Sequence, residues 1–246
     1  MRLRRILSLN VFTESLEPMA PFYADGLTLP VGRAAERLLG LYAGETSLNI
    51  LPAEEDTRAL VGRATGITLR VRGEGDLPRF ITRLQDKGFE CRDQDFSAHR
   101  GGHRLIVRDP SGNQLTLCEI PEDRDDLHIF EGPSSVTVGV RDIRRSLGFF
   151  LTQLELPMLD QPSARTAVLF PGGTNLILTE GDNWSPAEPI RGETGICLLA
   201  EDPASVFDML RGQRVSFAEP PQEGGGYLAA VINDPDGNRF TIMGPT

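Results

Sequence analysis

The chain has 246 residues, 39% hydrophobic and 24% charged, a balance that fits one or two ordinary globular domains and excludes a disordered chain. Its formal net charge of −10 and pI near 4.9 argue against nucleic acid or an anionic membrane as the main partner, because phosphate binding needs a basic footprint. Cys91, Cys118 and Cys197 are too scattered for a disulfide framework, no run approaches the roughly 18 apolar residues of a membrane span, and the basic start lacks a small-residue cleavage site. A reduced, cytoplasmic chain is expected.

Residues 6–11 alternate Leu7, Leu9 and Val11 with Ile6, Ser8 and Asn10, the period-two pattern of a half-buried strand. Residues 17–23 read as a short helix, and strands follow at 37–42 and 47–51. The same order recurs as strand 67–71, helix 77–87, and strands 104–108 and 114–118. It recurs again as strand 136–140, helix 143–151, and strands 166–170 and 175–179. A last round gives strand 196–199, helix 203–211, and strands 228–233 and 239–243. Additional strands are expected near 89–92 and 215–219. The chain therefore reads as α+β, in four βαβββ-like modules.

Two markers show that these modules form two homologous halves. Asp109-Pro110-Ser111-Gly112-Asn113 recurs as Asp234-Pro235-Asp236-Gly237-Asn238, 125 residues later. The stretch from Val11 to Phe22-Tyr23 resembles that from Val140 to Phe149-Phe150, with the aromatic pairs 127 residues apart. Pro presets φ in a turn and Gly tolerates positive φ after it, so each DPxGN segment predicts a hairpin between the last two strands of its module. The acidic, Pro- and Gly-containing stretch 121–133 reads as a linker.

The strand-to-helix openings at 6–23 and 136–150, with the two DPxGN hairpins, resemble the vicinal oxygen chelate superfamily (glyoxalase, bleomycin resistance and extradiol dioxygenase proteins). The resemblance covers nearly the whole chain. It implies two tandem domains with curled, cup-like mixed sheets. The first would be 1–120 (modules 1–60 and 61–120) and the second 134–246 (modules 134–190 and 191–246).

In metal-using members of that superfamily, ligands come from the first and last strands of the modules. Counting along this sequence, the resemblance places the first-strand ligand at Ile6, Gly66, Ser135 and Gly195. It places the last-strand ligand at Asn49, Thr116, Ile177 and Thr241. Zinc and iron sites need imidazole, thiolate or carboxylate in sets of three or four, so no metal and no cofactor is expected. His99 and His103 have i, i+4 spacing, but Gly101-Gly102 between them argues for a loop rather than a helix face. His128 falls in the linker.

Strand parity then names the lining. Ser8, Asn10, Ser47 and Asn49 face inward, as do Thr68, Arg70, Gln114, Thr116 and Cys118. In the second half the inward set is Ser135, Thr137, Asn175, Ile177, Thr179, Cys197, Arg239, Thr241 and Met243. The expected ligand-binding residues are Ser8, Asn10, Asn49, Thr68, Arg70, Thr116, Thr137, Arg239 and Thr241, with Arg70 the single cation of the first half. Such side chains could instead simply fill the cups or pack the halves together. Trp184 and Tyr227 are read as loop residues near a mouth, and Gly224-Gly225-Gly226 as a mobile loop. No GxSxG elbow or phosphate loop appears, and catalytic residues are not identifiable.

The resulting expectation is a glyoxalase/dioxygenase-like protein that binds a small polar or aromatic molecule without a metal. The alternative is a divergent enzyme of the superfamily with relocated site residues. A homodimer is compatible with either reading.

Overall fold

The computed structural model describes residues 3–71, 76–89, 91–94, 104–119, 133–181 and 187–246. The linker stretch 121–132, His99, His103, His128 and Trp184 lie outside them. Sixteen strands are described, in two eight-stranded mixed sheets.

The first module contributes β1 (Leu3–Thr13), β2 (Val31–Ala35), β3 (Leu38–Ala43) and β4 (Thr46–Pro52). The second contributes β5 (Ala64–Val71), α1 (Asp76–Asp86), β6 (Cys91–Gln94), β7 (Arg104–Arg108) and β8 (Gln114–Glu119). The third contributes β9 (Pro133–Val140), α2 (Ile143–Gly148), β10 (Met158–Ser163), β11 (Thr166–Leu169) and β12 (Asn175–Glu180). The fourth contributes β13 (Glu193–Ala200), α3 (Pro203–Gly212), β14 (Phe217–Gly224), β15 (Tyr227–Asn233) and β16 (Arg239–Pro245).

The sheet orders are β14-β15-β16-β13-β1-β4-β3-β2 and β10-β11-β12-β9-β5-β8-β7-β6. Each sheet therefore takes four strands from the first half and four from the second, and the halves at 1–120 and 134–246 are units of sequence repetition rather than of hydrogen bonding. The central pairings are antiparallel: Leu9 stands opposite Ile196 in β1 and β13, and Ile67 opposite Val136 in β5 and β9. Within a module the first strand runs parallel to the last, as in β5 with β8 and β13 with β16.

By contacts the chain divides into two compact units. One comprises Met1–Asn10, Thr137–Ser185 and Pro189–Thr246, the other Val11–Val136 and Pro186–Glu188. In the second unit, Ile67, Leu69, Leu105, Val107, Leu115 and Leu117 are buried on one sheet face. Leu77 and Leu84 of α1 are buried too, and Phe22 packs edge-on against Tyr23 and Phe89 with ring centroids 4.9 Å apart in each pair. In the first unit, Ile196, Leu198, Phe240 and Ile242 form the corresponding layer, and Phe150 meets Phe240 at 5.4 Å. Such edge-to-face pairs add about 0.5–1.5 kcal/mol beyond area burial.

Helix starts have local causes. The Asp142 carboxylate accepts from the Arg144 and Arg145 amides at 2.9 and 3.2 Å, and Asp202 accepts from the Ser205 amide at 3.1 Å. These bonds satisfy donors that a helix N-terminus leaves orphaned. The helix expected at 17–23 is instead a π-helical turn at Pro21–Gly26, and that expected at 143–151 is α2 followed by a π-helical turn at Phe149–Gln153. In both, the wider turn carries a buried aromatic pair, Phe22-Tyr23 and Phe149-Phe150.

Further corrections concern edges, turns and register. β2 and β10 are additional to the expected strands, and every residue in them is exposed. Tyr227 begins β15 rather than lying in a loop, and Gly225 and Gly226, with φ of 60° and 80°, form the tight hairpin between β14 and β15. The register of β1 slips between Ile6 and Ser8, so Ile6 pairs with Leu198 and is fully buried on the core face instead of facing inward. Register also shifts across Gly66 and Gly195, both at positive φ.

Candidate functional site

Residues directly opposite each other across a sheet point to the same face, and successive residues alternate. In the second unit this places Thr68 beside Thr116 and Ser135, and Thr116 beside Ile106. One step further along the strands, Arg70 stands opposite Cys118, and Cys118 opposite Arg104. All of these lie on the face opposite the Leu69, Leu105 and Leu117 layer.

Arg104 was not among the expected site residues, which gave this surface one cation, Arg70. The alternation of β7, with Leu105 and Val107 fully buried, is the sequence signal that turns Arg104 to the open side. Two guanidinium side chains thus flank one small thiol, on three adjacent strands.

Burial pushes the Cys118 thiol up to about 11, although the Arg104 and Arg70 charges pull it down. The thiol is therefore neutral near pH 7 and does not cancel either cation. Burial also holds the Arg104 guanidinium below its ordinary range, with Cys118 acting in the opposite sense. Thr68 is 1% exposed, and its Oγ1 makes no hydrogen bond among the described residues. A buried hydroxyl in that state costs about 1–3 kcal/mol relative to a satisfied one. Thr116 and Ser135 beside it are buried as well.

A further arginine row, Arg108 opposite Gln114, lies at the other end of this face. Arg108 donates to the Gly112 carbonyl at 3.0 Å and to Gln114 Oε1 at 3.3 Å, and Gln114 Nε2 donates to Glu188 at 3.4 Å.

The open face in the first unit differs in chemistry. Ser8 stands opposite Cys197, Cys197 opposite Thr241, and Thr241 opposite Val231. The next row along is Arg5, Leu199, Met243 and Ala229, so apolar side chains make up much of this surface. Burial pushes the Cys197 thiol up to about 12 despite its bond with Ser8. Arg239 forms an ion-pair ladder with Glu193, at 3.5 Å, and with Glu219, which commits its charge to two carboxylates.

The other expected site residues are Asn49, Asn10 and Thr137. Asn49 is opposite Gly40 in β3, and the Asn10 backbone carbonyl lies against Gly195. Thr137 is fully buried in β9, and its carbonyl accepts from the Ile190 amide at 3.0 Å.

The DPxGN hairpins prove to be more than turns. Asp109 Oδ1 accepts from the Ser111 and Asn113 amides, each at 2.9 Å, and its Oδ2 accepts from Asn113 Nδ2 at 2.8 Å. Asn113 Nδ2 also donates to the Phe12 carbonyl at 2.8 Å, and its Oδ1 accepts from the Gly62 amide at 2.8 Å. Asp234 and Asn238 repeat the arrangement, with Asn238 reaching the Gly139 carbonyl at 3.1 Å and the Gly192 amide at 2.8 Å. Each motif fastens its hairpin to two other segments of its own unit.

The face of β5, β7 and β8 offers two guanidiniums, hydroxyls and a neutral thiol, which repel or bind weakly to a divalent cation. Among the described residues no group of three or more His, Cys, Asp or Glu side chains could hold a metal ion. The described residues of this face do not fit a divalent metal ion.

Comparison with known proteins agrees with the architecture. The glyoxalase/bleomycin resistance protein/dioxygenase superfamily model matches residues 5–117 and 132–242. Glyoxalase I from Zea mays is 15% identical, with a TM-score of 0.69 over 98% of this chain and 92% of that one. A candidate dioxygenase from Bacillus subtilis subsp. subtilis str. 168 is 13% identical, with a TM-score of 0.69 over 99% of this chain and 86% of that one. TnmS3, an antibiotic binding protein from Streptomyces sp. CB03234, is 23% identical with a TM-score of 0.38, over 46% of this chain and 94% of its own. No curated protein matches the chain. Identities this low carry the fold and not the activity, and on the family match the chain belongs to the glyoxalase/bleomycin resistance protein/dioxygenase superfamily.

Proposed function

We propose that the chain binds a small polar or aromatic molecule without a metal ion, on the open face of β5, β7 and β8. One observation supports this above the others. Arg70, Arg104, Thr68 and Thr116 share that face, which holds hydrogen-bond donors and, among the described residues, no set of metal-binding side chains. A few placed polar groups on a largely preformed surface are what orient a small ligand. The acidic net charge suits a small molecule better than nucleic acid as the partner.

The test is thermal unfolding of the whole chain against catechols, aromatic antibiotics and hydroxy acids, before and after EDTA, with elemental analysis of the purified protein. A ligand at 100 times its Kd stabilises by about 2.7 kcal/mol. The proposal expects that stabilisation to survive EDTA unchanged. A stoichiometric divalent metal, with ligand response lost on its removal, would overturn it.

A further inference from the structure

Ser135, Thr68 and Thr116 stand side by side in one row, on β9, β5 and β8 of a single compact unit. All three are buried, at 4%, 1% and 1% exposed. Thr68 is the middle member, and its Oγ1 bonds to neither neighbour and to no other group among the described residues. Paired side chains on neighbouring strands have Cβ atoms about 5 Å apart. An oxygen placed midway between two hydroxyls at that spacing is about 2.7 Å from each, the ordinary O–H···O distance. The row thus offers two such positions, one on each side of Thr68. They are one strand spacing apart, about 4.8 Å.

A hydroxyl donates once and accepts twice, so Thr68 can serve both positions at once. None of the three side chains is charged, and burying a neutral polar group against them costs far less than burying an ion. The row therefore calls for two uncharged oxygens on one edge of a ligand. Oxygens in meta positions of an aromatic ring match the strand spacing of about 4.8 Å. Ortho oxygens are only about 2.7 Å apart, a single hydrogen-bond length. Ile106, half-buried and next in the row beyond Thr116, gives a ring an apolar neighbour.

We infer that this row takes a neutral aromatic 1,3-diphenol, each oxygen seated between Thr68 and one of its two neighbours. The inference rests on the proposed metal-free binding and names the ligand class of that same face.

The test is titration calorimetry on the full chain with resorcinol and with its ortho isomer catechol, in EDTA at about pH 7, where phenols are uncharged. Resorcinol should bind at least about tenfold more tightly, because catechol fills one position and leaves a buried hydroxyl unbonded. Thr68→Val should weaken resorcinol by about tenfold or more. It should not lower the melting temperature of the free protein, in which that hydroxyl is unbonded. Thr68→Ser keeps the hydroxyl and should restore resorcinol binding. A purely structural threonine would not give that split.

Equal binding of the two isomers, or tighter binding of catechol, overturns the 1,3-diphenol assignment and leaves metal-free binding standing. Resorcinol affinity unchanged in Thr68→Val overturns it as well. Failure of resorcinol to bind also overturns it, and the EDTA comparison with antibiotics and hydroxy acids then decides the broader reading separately. The wild-type comparison of the two isomers needs no variant to fold.

Discussion

Tyr23 donates its phenolic hydrogen to Asp109 Oδ2 at 2.9 Å, both groups being buried, whereas the matching aromatic of the second half is Phe150 and Asp234 has no phenol to accept from. The two hairpin fastenings are therefore chemically unequal. Burial pushes the Asp109 carboxyl up, against the pull of its bonds with Asn113 and Tyr23. Burial, the Asp109 charge and the hydrogen bond push Tyr23 well above 10.0.

Tyr23→Phe should cost about 1–3 kcal/mol at neutral pH, the worth of a hydrogen bond to a charged acceptor. The variant also changes the alkaline limb of stability. The folded chain keeps Tyr23 protonated while the unfolded chain loses that proton near 10.0, so wild-type stability falls as pH rises beyond that value. Tyr23→Phe should fall less steeply between pH 10 and 11. Calorimetric unfolding at several pH values reads both effects, and equal slopes would contradict the assignment.

Asn113→Ala should destabilise by about 1–3 kcal/mol, because it removes a donor to the buried Asp109 carboxylate and takes the acceptor from the Gly62 amide. Asn238→Ala should behave alike, through the Gly192 amide and Asp234. Urea unfolding measures both. A loss below 0.5 kcal/mol, the scale of an ordinary surface change, would show the fastening to be dispensable.

Gly195→Ala meets two obstacles. The residue has φ of 68°, and an added Cβ would overlap the Asn10 carbonyl oxygen. Strained backbone of this kind costs about 1–3 kcal/mol before any overlap is counted. Gly181, at φ of 66° with open space around it, is the matched control and should cost only the conformational part. The difference between the two melting temperatures isolates the contact.

Cys118 and Cys197 should resist iodoacetamide at pH 8 in the folded chain. With thiols at about 11 and about 12, the reactive thiolate is on the order of one part in a thousand or less. Mass spectrometry before and after unfolding in urea gives the answer. Rapid native labelling of Cys118 would mean that the arginines prevail over burial.

Much of the fold was legible because the central strands alternate cleanly. Residues such as Leu105 and Val107, or Leu115 and Leu117, announce one buried face, and the duplicated DPxGN turns announce the repeat. β2 and β10 were hidden because edge strands exposed along their whole length need no alternation, and β10 even carries Pro162. Parity placed Thr68, Arg70 and Thr116 together on the open face. It misplaced Ile6, because a bulge shifts facing by one residue without altering the local pattern. Arg104 was legible in principle from its buried neighbours. The Tyr23–Asp109 bond was not, since nothing local links positions 86 residues apart.

The pairing of Leu3 with Ala200 sets a timetable for the ribosome. At about 5–20 residues per second, β1 emerges some 10–40 seconds before β13 exists to pair with it. During that interval β4 can pair with one edge of β1, while the edge that β13 will cover stays open. β5 waits only for β9, so the middle of the polypeptide can consolidate before β13 closes the last edge of the oldest strand.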